Sequence, residues 1–394
     1  MFIELTEEQL TLRAELRWYF AGLISPAERH AMLTDRHGEV YRKIVRRMGA
    51  DGWLGVGWPA EYGGRGFGEV EQQIFVNEAA RADVPLPSVT LQTVGPTLQR
   101  YGTPEQKAFF LPKILAGEVH FAIGYTEPEA GTDLAALRTT AVRRGDGHGE
   151  HYVVNGQKIF TTGAHSADYV WLACRTDPDA PRHKGISILI VDTRDPGYSW
   201  TPIITCDGAH HVNATYYSHV RVAVRMRVGA ENDGWRLITT QLNHERVMLG
   251  PAGRLAALYD GVREWAAARR DPDGTPLLER PDVRRALARA YASLRVNELL
   301  NWQVCARTAE GPVDVADASA TKVFASDRIQ EVGRDLEQMV GRHADPADEE
   351  TARLTHWLDV QAKRNLVLTF GGGAGEIQRE LIATAGLGLP RVPR

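Results

Sequence analysis

The stretch Tyr125-Thr126-Glu127-Pro128-Glu129-Ala130-Gly131-Thr132-Asp133 combines a proline, a glycine and two threonines. Such a composition turns the chain tightly and leaves backbone N–H groups outside any ladder. The resulting nest suits a phosphate or the electron-rich edge of a flavin ring. The same residues also describe a surface turn that caps a strand. A second stretch, Phe370-Gly371-Gly372-Gly373-Ala374-Gly375-Glu376, is glycine-rich but is no dinucleotide fingerprint. It follows a helical pattern instead of a strand, and Glu376 interrupts the GxGxxG spacing. His210-His211, with His183 and His219, lack HxxxH or HExxH spacing and cysteine companions, so they read as surface or loop histidines and no metal is expected. The tryptophans read as core and interface residues, not as a stacking platform for nucleic acid.

These residues sit on three stretches of different periodicity. From Thr6 to about Glu118 the pattern is helical, with a glycine-rich turn at Gly63-Gly64-Arg65-Gly66; Thr6 before Glu7, Glu8 and Gln9 marks a helix start. From about Phe121 to Gly229 strands dominate. His151-Tyr152-Val153-Val154 and Gln157-Lys158-Ile159-Phe160 flank Asn155-Gly156, which predicts a two-residue hairpin turn. Tyr169–Ala173, Ile186–Val191 and the alternating Val220, Val222 and Val224 are further strands. From Gly234 the helical pattern returns, with Met248, Ala252, Leu255, Leu258, Val262 and Trp265 on one stripe and Pro251 as a kink or break. The domain boundaries implied are 1–120, 121–230 and 231–394. Helices, then strands, then helices exclude a doubly wound parallel sheet and give a multi-domain α+β chain.

Composition narrows the function. The 394 residues exceed one ordinary core, and 43% hydrophobic with 24% charged residues is typical of a globular protein. A net charge of −4 offers nucleic acid no electrostatic footprint. Three distant cysteines (Cys174, Cys206, Cys305) fit reduced thiols. With no signal-like start and no apolar run of membrane-spanning length, a cytoplasmic protein without a membrane partner is expected.

Three ordered motifs resemble the acyl-CoA dehydrogenase family. Pro59-Ala60-Glu61-Tyr62-Gly63-Gly64 matches its P-x-x-Y/F-G-G turn. Thr126-Glu127-Pro128-Glu129-Ala130-Gly131-Thr132-Asp133 matches T-E-P-x-A-G-S/T-D. Asn155-Gly156-Gln157-Lys158-Ile159-Phe160-Thr161-Thr162 matches N-G-x-K-x-W/F-I/T-T. The resemblance runs from Leu5 to Gly386. It implies an N-terminal helical domain, a central β-barrel-like domain and a C-terminal four-helix bundle, with FAD between the latter two. It also implies that Thr126, Gly131 and Thr132 line the isoalloxazine and thioester region, and that Phe160 and Thr162 contact the flavin. Phe160 stands where many members have tryptophan, or else is a plain strand residue. Gln92 and Thr93 are candidates for lining the acyl pocket.

The family reaction removes an α proton and a β hydride from an acyl-CoA thioester, which requires a base whose pKa a dry pocket raises. Many members carry a glutamate where this chain has Gly372. A minority, the isovaleryl and long-chain types, place it on the helix after the strand domain, where this chain reads His244-Glu245-Arg246. By that resemblance Glu245 is the base, against the alternative of a solvated Glu-Arg pair. Arg246 holds local structure or tunes Glu245, and the Gly372 backbone N–H bonds the thioester carbonyl. The family arginine that completes a neighbour's FAD site is missing from Arg270–Leu277, and Arg342 replaces the second glycine of Q-x-x-G-G. A heteromer with a homologous partner is therefore expected. In the stretches Phe121–Pro128, His244–Gly253 and Gly386–Arg394 the chain is similar to the catalytic-side subunit of actinobacterial α2β2 enzymes that dehydrogenate a shortened steroid side chain in sterol catabolism, and this resemblance implies electrons passed to an electron-transfer flavoprotein. Other readings are a branched- or long-chain fatty acyl-CoA dehydrogenase, a flavin oxidase or monooxygenase, and a non-catalytic structural subunit.

Overall fold

The computed structural model describes residues 4–147, 149–248, 250–310, 314–345 and 347–391, with the side chains of 242–248 and 309–310 outside the description. The helices up to residue 115 are α1 (Glu7–Leu23), α2 (Pro26–Ala31), α3 (Glu39–Ala50), α4 (Glu69–Arg81), α5 (Gly95–Tyr101) and α6 (Pro104–Leu115). A π-helical turn at Val89–Val94 leads into α5. The strands are β1 (Phe121–Gly124), β2 (Thr140–Asp146), β3 (Gly149–Thr162), β4 (Tyr169–Arg175), β5 (Ile186–Asp192), β6 (Tyr198–Ile204), β7 (His210–Ala223) and β8 (Arg227–Val228). Helices then resume as α7 (Gly234–Met248), α8 (Gly253–Ala267), α9 (Pro281–Glu310), α10 (Val315–His343), α11 (Glu349–Asn365) and α12 (Gly375–Leu381). The expected class, helices flanking a middle strand domain, is the one the chain adopts.

Packing divides the chain into two compact units, one of Met1–Leu23, Phe67–Pro85 and Arg246–Arg394, the other of Ile24–Gly66 and Leu86–Glu245. In the helical unit, Thr6 caps α1 as expected: its hydroxyl accepts from Gln9 N at 3.2 Å and Gln9 Oε1 accepts from Thr6 N at 3.0 Å. The stripe Ala252, Leu255, Leu258, Val262 and Trp265 is buried against Val283, Leu287 and Leu294 of α9, Ile329, Leu336 and Met339 of α10, and Leu358 of α11. Pro251 breaks the helical run, so α7 ends at Met248 and α8 begins at Gly253. Two asparagines of α9 satisfy the polar groups freed there. Asn297 and Asn301 donate to Gly250 O at 2.9 and 3.0 Å, and Ala252 N donates to Asn301 Oδ1 at 3.0 Å.

The strand unit holds one eight-stranded sheet in the order β6-β7-β3-β2-β4-β5-β8, with β1 running parallel beside β4, together with α2, α3, α5, α6 and α7 as far as Glu245. Tyr152, Val154, Val170, Leu172, Leu189, Val191, Val220 and Val222 form its core. The hairpin expected at Asn155-Gly156 is not there. β3 runs unbroken through both residues, and β2 pairs antiparallel with it from Thr140 opposite Asn155 to Asp146 opposite Gly149. Asn155-Gly156 is a bulge, with a register shift against β7 between Val154 and Gly156. Gly156 has φ 151°, and a Cβ there would lie 2.5 Å from Thr139 Oγ1. The glycine therefore serves a close approach of residue 139, not a chain reversal.

Candidate active site

The threonine-rich loop after β1 is built around one carboxylate. Glu127 and Ala130 exchange backbone hydrogen bonds, each 3.1 Å, which closes the turn over Pro128 and Glu129. The buried Glu127 side chain accepts from Arg138 N at 2.7 Å, Thr139 N at 2.9 Å and Lys158 Nζ at 2.8 Å. Burial works to raise the Glu127 pKa, but the Lys158 charge and these hydrogen bonds outweigh it and hold the carboxyl below its ordinary range. Lys158, fully buried, also donates to Tyr125 O at 3.0 Å, and Ile159 N donates to Thr126 O at 2.9 Å. The loop and the end of β3 are thus one construction. Its buried ion pair escaped the sequence reading; the signal was a lysine in an otherwise strand-like run.

What that construction presents outward is a mixed face. Phe160 takes φ 58°, a left-handed backbone unusual for an aromatic residue, and remains 55% exposed at a register irregularity of β3. It is not a plain core residue. Thr161 is buried, whereas Thr162, Gly131 and Thr132 are exposed and Thr126 is half-buried. Among the described residues, the N–H groups of Gly131 and Thr132 and the hydroxyls of Thr126 and Thr162 make no hydrogen bond. Free donors beside an exposed ring fit a flat, polar-edged aromatic ligand such as a flavin.

The segment carrying Gln92 and Thr93 is buried in the same unit. Trp58 Nε1 donates to Leu91 O at 3.2 Å and Phe121 N to Thr90 Oγ1 at 2.8 Å, which fixes the π-helical turn. Gln92 Nε2 is buried without a hydrogen-bond partner among the described residues. Gly95 permits this packing, because a Cβ there would lie 2.1 Å from the Trp58 ring.

Sequence similarity decides the family. Models of the acyl-CoA dehydrogenase N-terminal, middle and C-terminal domains match residues 6–118, 122–221 and 232–387. The chain belongs to the acyl-CoA dehydrogenase family. It is 67% identical to the acyl-CoA dehydrogenase FadE29 of Mycobacterium tuberculosis over 394 residues, covering all of both chains. Its fold is similar to that of the Tcur3481-Tcur3483 steroid ACAD, with TM-score 0.91, and to the ChsE4-ChsE5 complex from Mycobacterium tuberculosis, with TM-score 0.89. Each is 48% identical and is covered completely, as is this chain.

In this acyl-CoA dehydrogenase the remaining expected site residues lie on α7 and before α12. Glu245 is on α7 and is the last residue of the strand unit; Arg246 opens the next segment of the helical unit. The side chains of both lie outside the described residues. Gly372 belongs to the helical unit and takes φ 66°, followed by Gly373 at 96°. That backbone suits glycine and would strain a glutamate at position 372. Lys322 Nζ donates to Gly373 O and Gln378 Nε2 to Gly372 O at 3.4 Å, so the carbonyls are held while the Gly372 N–H makes no hydrogen bond among the described residues.

His183 and His219 are exposed, as expected, but His210 and His211 are partly buried in a cluster with His37 and His165. The rings of His165 and His210 lie tilted with centroids 4.0 Å apart, and Asn213 bonds both. The partners come from distant segments, so no local spacing could signal the cluster. Among the described residues no group of three or more His, Cys, Asp or Glu is arranged to hold a metal, and no helix is long and apolar enough to cross a membrane.

Proposed function

We propose that this chain is the FAD-holding subunit of a cytoplasmic α2β2 acyl-CoA dehydrogenase that unsaturates the CoA thioester of a shortened steroid side chain and passes electrons to an electron-transfer flavoprotein. Thr126, Gly131, Thr132, Phe160 and Thr162 hold FAD, which when bound accepts the hydride from the β carbon. Glu245 takes the α proton, and Arg246 supports its charge state. The Gly372 N–H donates to the thioester carbonyl as negative charge develops there. Gln92 and Thr93 line the acyl pocket, where Gln92 Nε2, without a partner among the described residues, is a ready donor.

The observation that carries the heteromeric reading is the fate of the arginines where the family keeps one for a neighbour's FAD. Arg269 is tied to Asp348 at 2.8 Å and Glu350 at 2.8 Å. Arg270 donates to Gly274 O at 2.9 Å, and Arg280 pairs with Asp271 at 3.1 Å. Each is committed within its own chain, which supports a partner subunit as the source of the missing contact. Similarity over full length to a steroid ACAD and to a two-component complex supports the substrate and the assembly.

The test is anaerobic mixing of the purified αβ complex with candidate CoA esters. A shortened steroid side-chain ester should bleach the flavin absorbance faster than isovaleryl-CoA or palmitoyl-CoA at equal concentration. The opposite order would remove the substrate assignment, and peroxide release in air as the dominant reoxidation would remove the electron-transfer flavoprotein.

A further inference from the structure

Five buried groups of the strand unit form a chain of hydrogen bonds that all run in one direction. Trp171 Nε1 on β4 donates to Tyr125 OH at 3.2 Å. Tyr125 OH donates to Gln241 Oε1 on α7. Gln241 Nε2 donates to Thr97 Oγ1 on α5 at 2.8 Å. Thr97 Oγ1 donates to Thr93 O at 2.7 Å, at the end of the π-helical turn. Tyr125, Trp171, Gln241, Thr97 and Thr93 are each at most 7% exposed.

The direction fixes the amide. The Thr97 hydroxyl spends its proton on Thr93 O and can only accept from Gln241, so Nε2 must face Thr97 and Oε1 must face Tyr125. Neither leucine nor glutamate at 241 would serve both neighbours. Gln241 therefore spans three pieces of the site. On one side is Tyr125, which precedes Thr126 and whose own carbonyl already accepts from Lys158 Nζ. On the other is the turn bearing Gln92 and Thr93. Gln241 itself lies on α7, and position 245 is four residues further along that helix, one turn on and nearly in line.

We infer that Gln241 is a positioning residue: its amide sets the rotation and axial register of α7 against the flavin loop and the acyl-pocket turn, and so places the base at position 245. The inference rests on the reading of Glu245 as the base. A buried bond at each end of one amide resists rotation of the helix in both senses, which apolar packing alone does not. Oriented bonds in series also reinforce one another in a low-dielectric interior.

The test uses the intact αβ holoenzyme and compares Gln241→Met, Tyr125→Phe, the double variant and Glu245→Gln. The readouts are flavin content, the rate constant of anaerobic flavin reduction at saturating substrate, its pH profile, and KM. Gln241→Met should keep its flavin, lower the reduction rate about 10–100-fold and shift the pH profile of reduction, with KM changed less than about threefold. Tyr125→Phe, which preserves ring packing, should do the same to a smaller degree. The double variant should be no slower than Gln241→Met, because the bonds act as one unit. Should Gln241→Met fold poorly, Tyr125→Phe alone decides the matter through its rate and pH profile. Wild-type reduction with an unshifted profile in either folded variant, alongside an inactive Glu245→Gln, would overturn the positioning role and leave the base intact. Wild-type reduction in Glu245→Gln would overturn the base, and with it this inference.

Discussion

At the scale of single residues, charge and proton placement in the strand unit are set by burial. Glu127 and Lys158 neutralise each other inside the loop that presents Thr126, so neither is free for chemistry and both are structural. Removing one partner would leave an uncompensated buried charge, a larger penalty than the pair itself is worth. The histidines behave differently, because burial there favours the neutral form. His37 is pushed down to about 3 by burial and by His211 and His165 nearby, and His120 to about 4 by burial and Arg42. Both carry a buried Nδ1 without a hydrogen-bond partner among the described residues. In the unfolded chain these imidazoles bind protons near pH 6.5, so below that the unfolded state holds more protons and is favoured. Stability from this source is complete above about pH 6.5 and falls on acidification, by up to about 1.4 kcal/mol per pH unit for each such histidine. Thermal unfolding followed from pH 7 to 4.5 should show this decline, and His37→Asn should flatten it; an unchanged slope in that variant would show that His37 does not contribute.

At the scale of elements, two glycines and a proline decide how strands and helices meet. Pro251 ends one helix and lets Gly253 open the next, where a Cβ would sit 1.9 Å from Asn77 O. Gly156 does the corresponding work in β3, since its bulge admits residue 139, whose N–H is one of the donors that fix Glu127. Gly156→Ala should therefore strain both the φ of 151° and the contact with Thr139, and destabilise the fold by about 2 kcal/mol or more. Gly145→Ala, in the neighbouring strand β2, meets no atom of the described residues within 4 Å and should be close to neutral. Denaturant midpoints of the two variants, measured side by side, check this; equal midpoints would mean the bulge tolerates a side chain.

At the scale of the whole molecule, the prediction concerns assembly. The loop 270–276 is closed on itself, with Asp271 Oδ1 accepting from Asp273 N at 3.2 Å and Thr275 N at 3.0 Å, and Arg342 faces Asp282 at 3.8 Å. Expressed alone, the chain should be poorly soluble or short of flavin. Co-expression with a homologue carrying an arginine-phenylalanine-glycine stretch at this loop should restore about one FAD per αβ pair, because a neutralised guanidinium offers little to a pyrophosphate. Analytical ultracentrifugation with flavin absorbance measures both quantities. A stable homotetramer holding one FAD per chain would contradict the heteromeric reading.

The amino-acid sequence by itself determined the family, through three ordered motifs, and with it the order of helices and strands. It also determined local punctuation such as the Thr6 cap and the break at Pro251. Those features depend on neighbouring residues, and periodicity or turn chemistry records them. Tertiary structure alone decided the rest. Asn155-Gly156 carries the same local signal whether it turns a hairpin or bulges a strand, and only the approach of Thr139 selects between them. The histidine cluster draws His37, His165 and His210 from three separate segments. Gln241 meets Tyr125 and Thr97 across 116 and 144 residues of chain. A hydrogen bond between such distant positions leaves no periodic trace, because what selects each residue is the partner the fold brings to it.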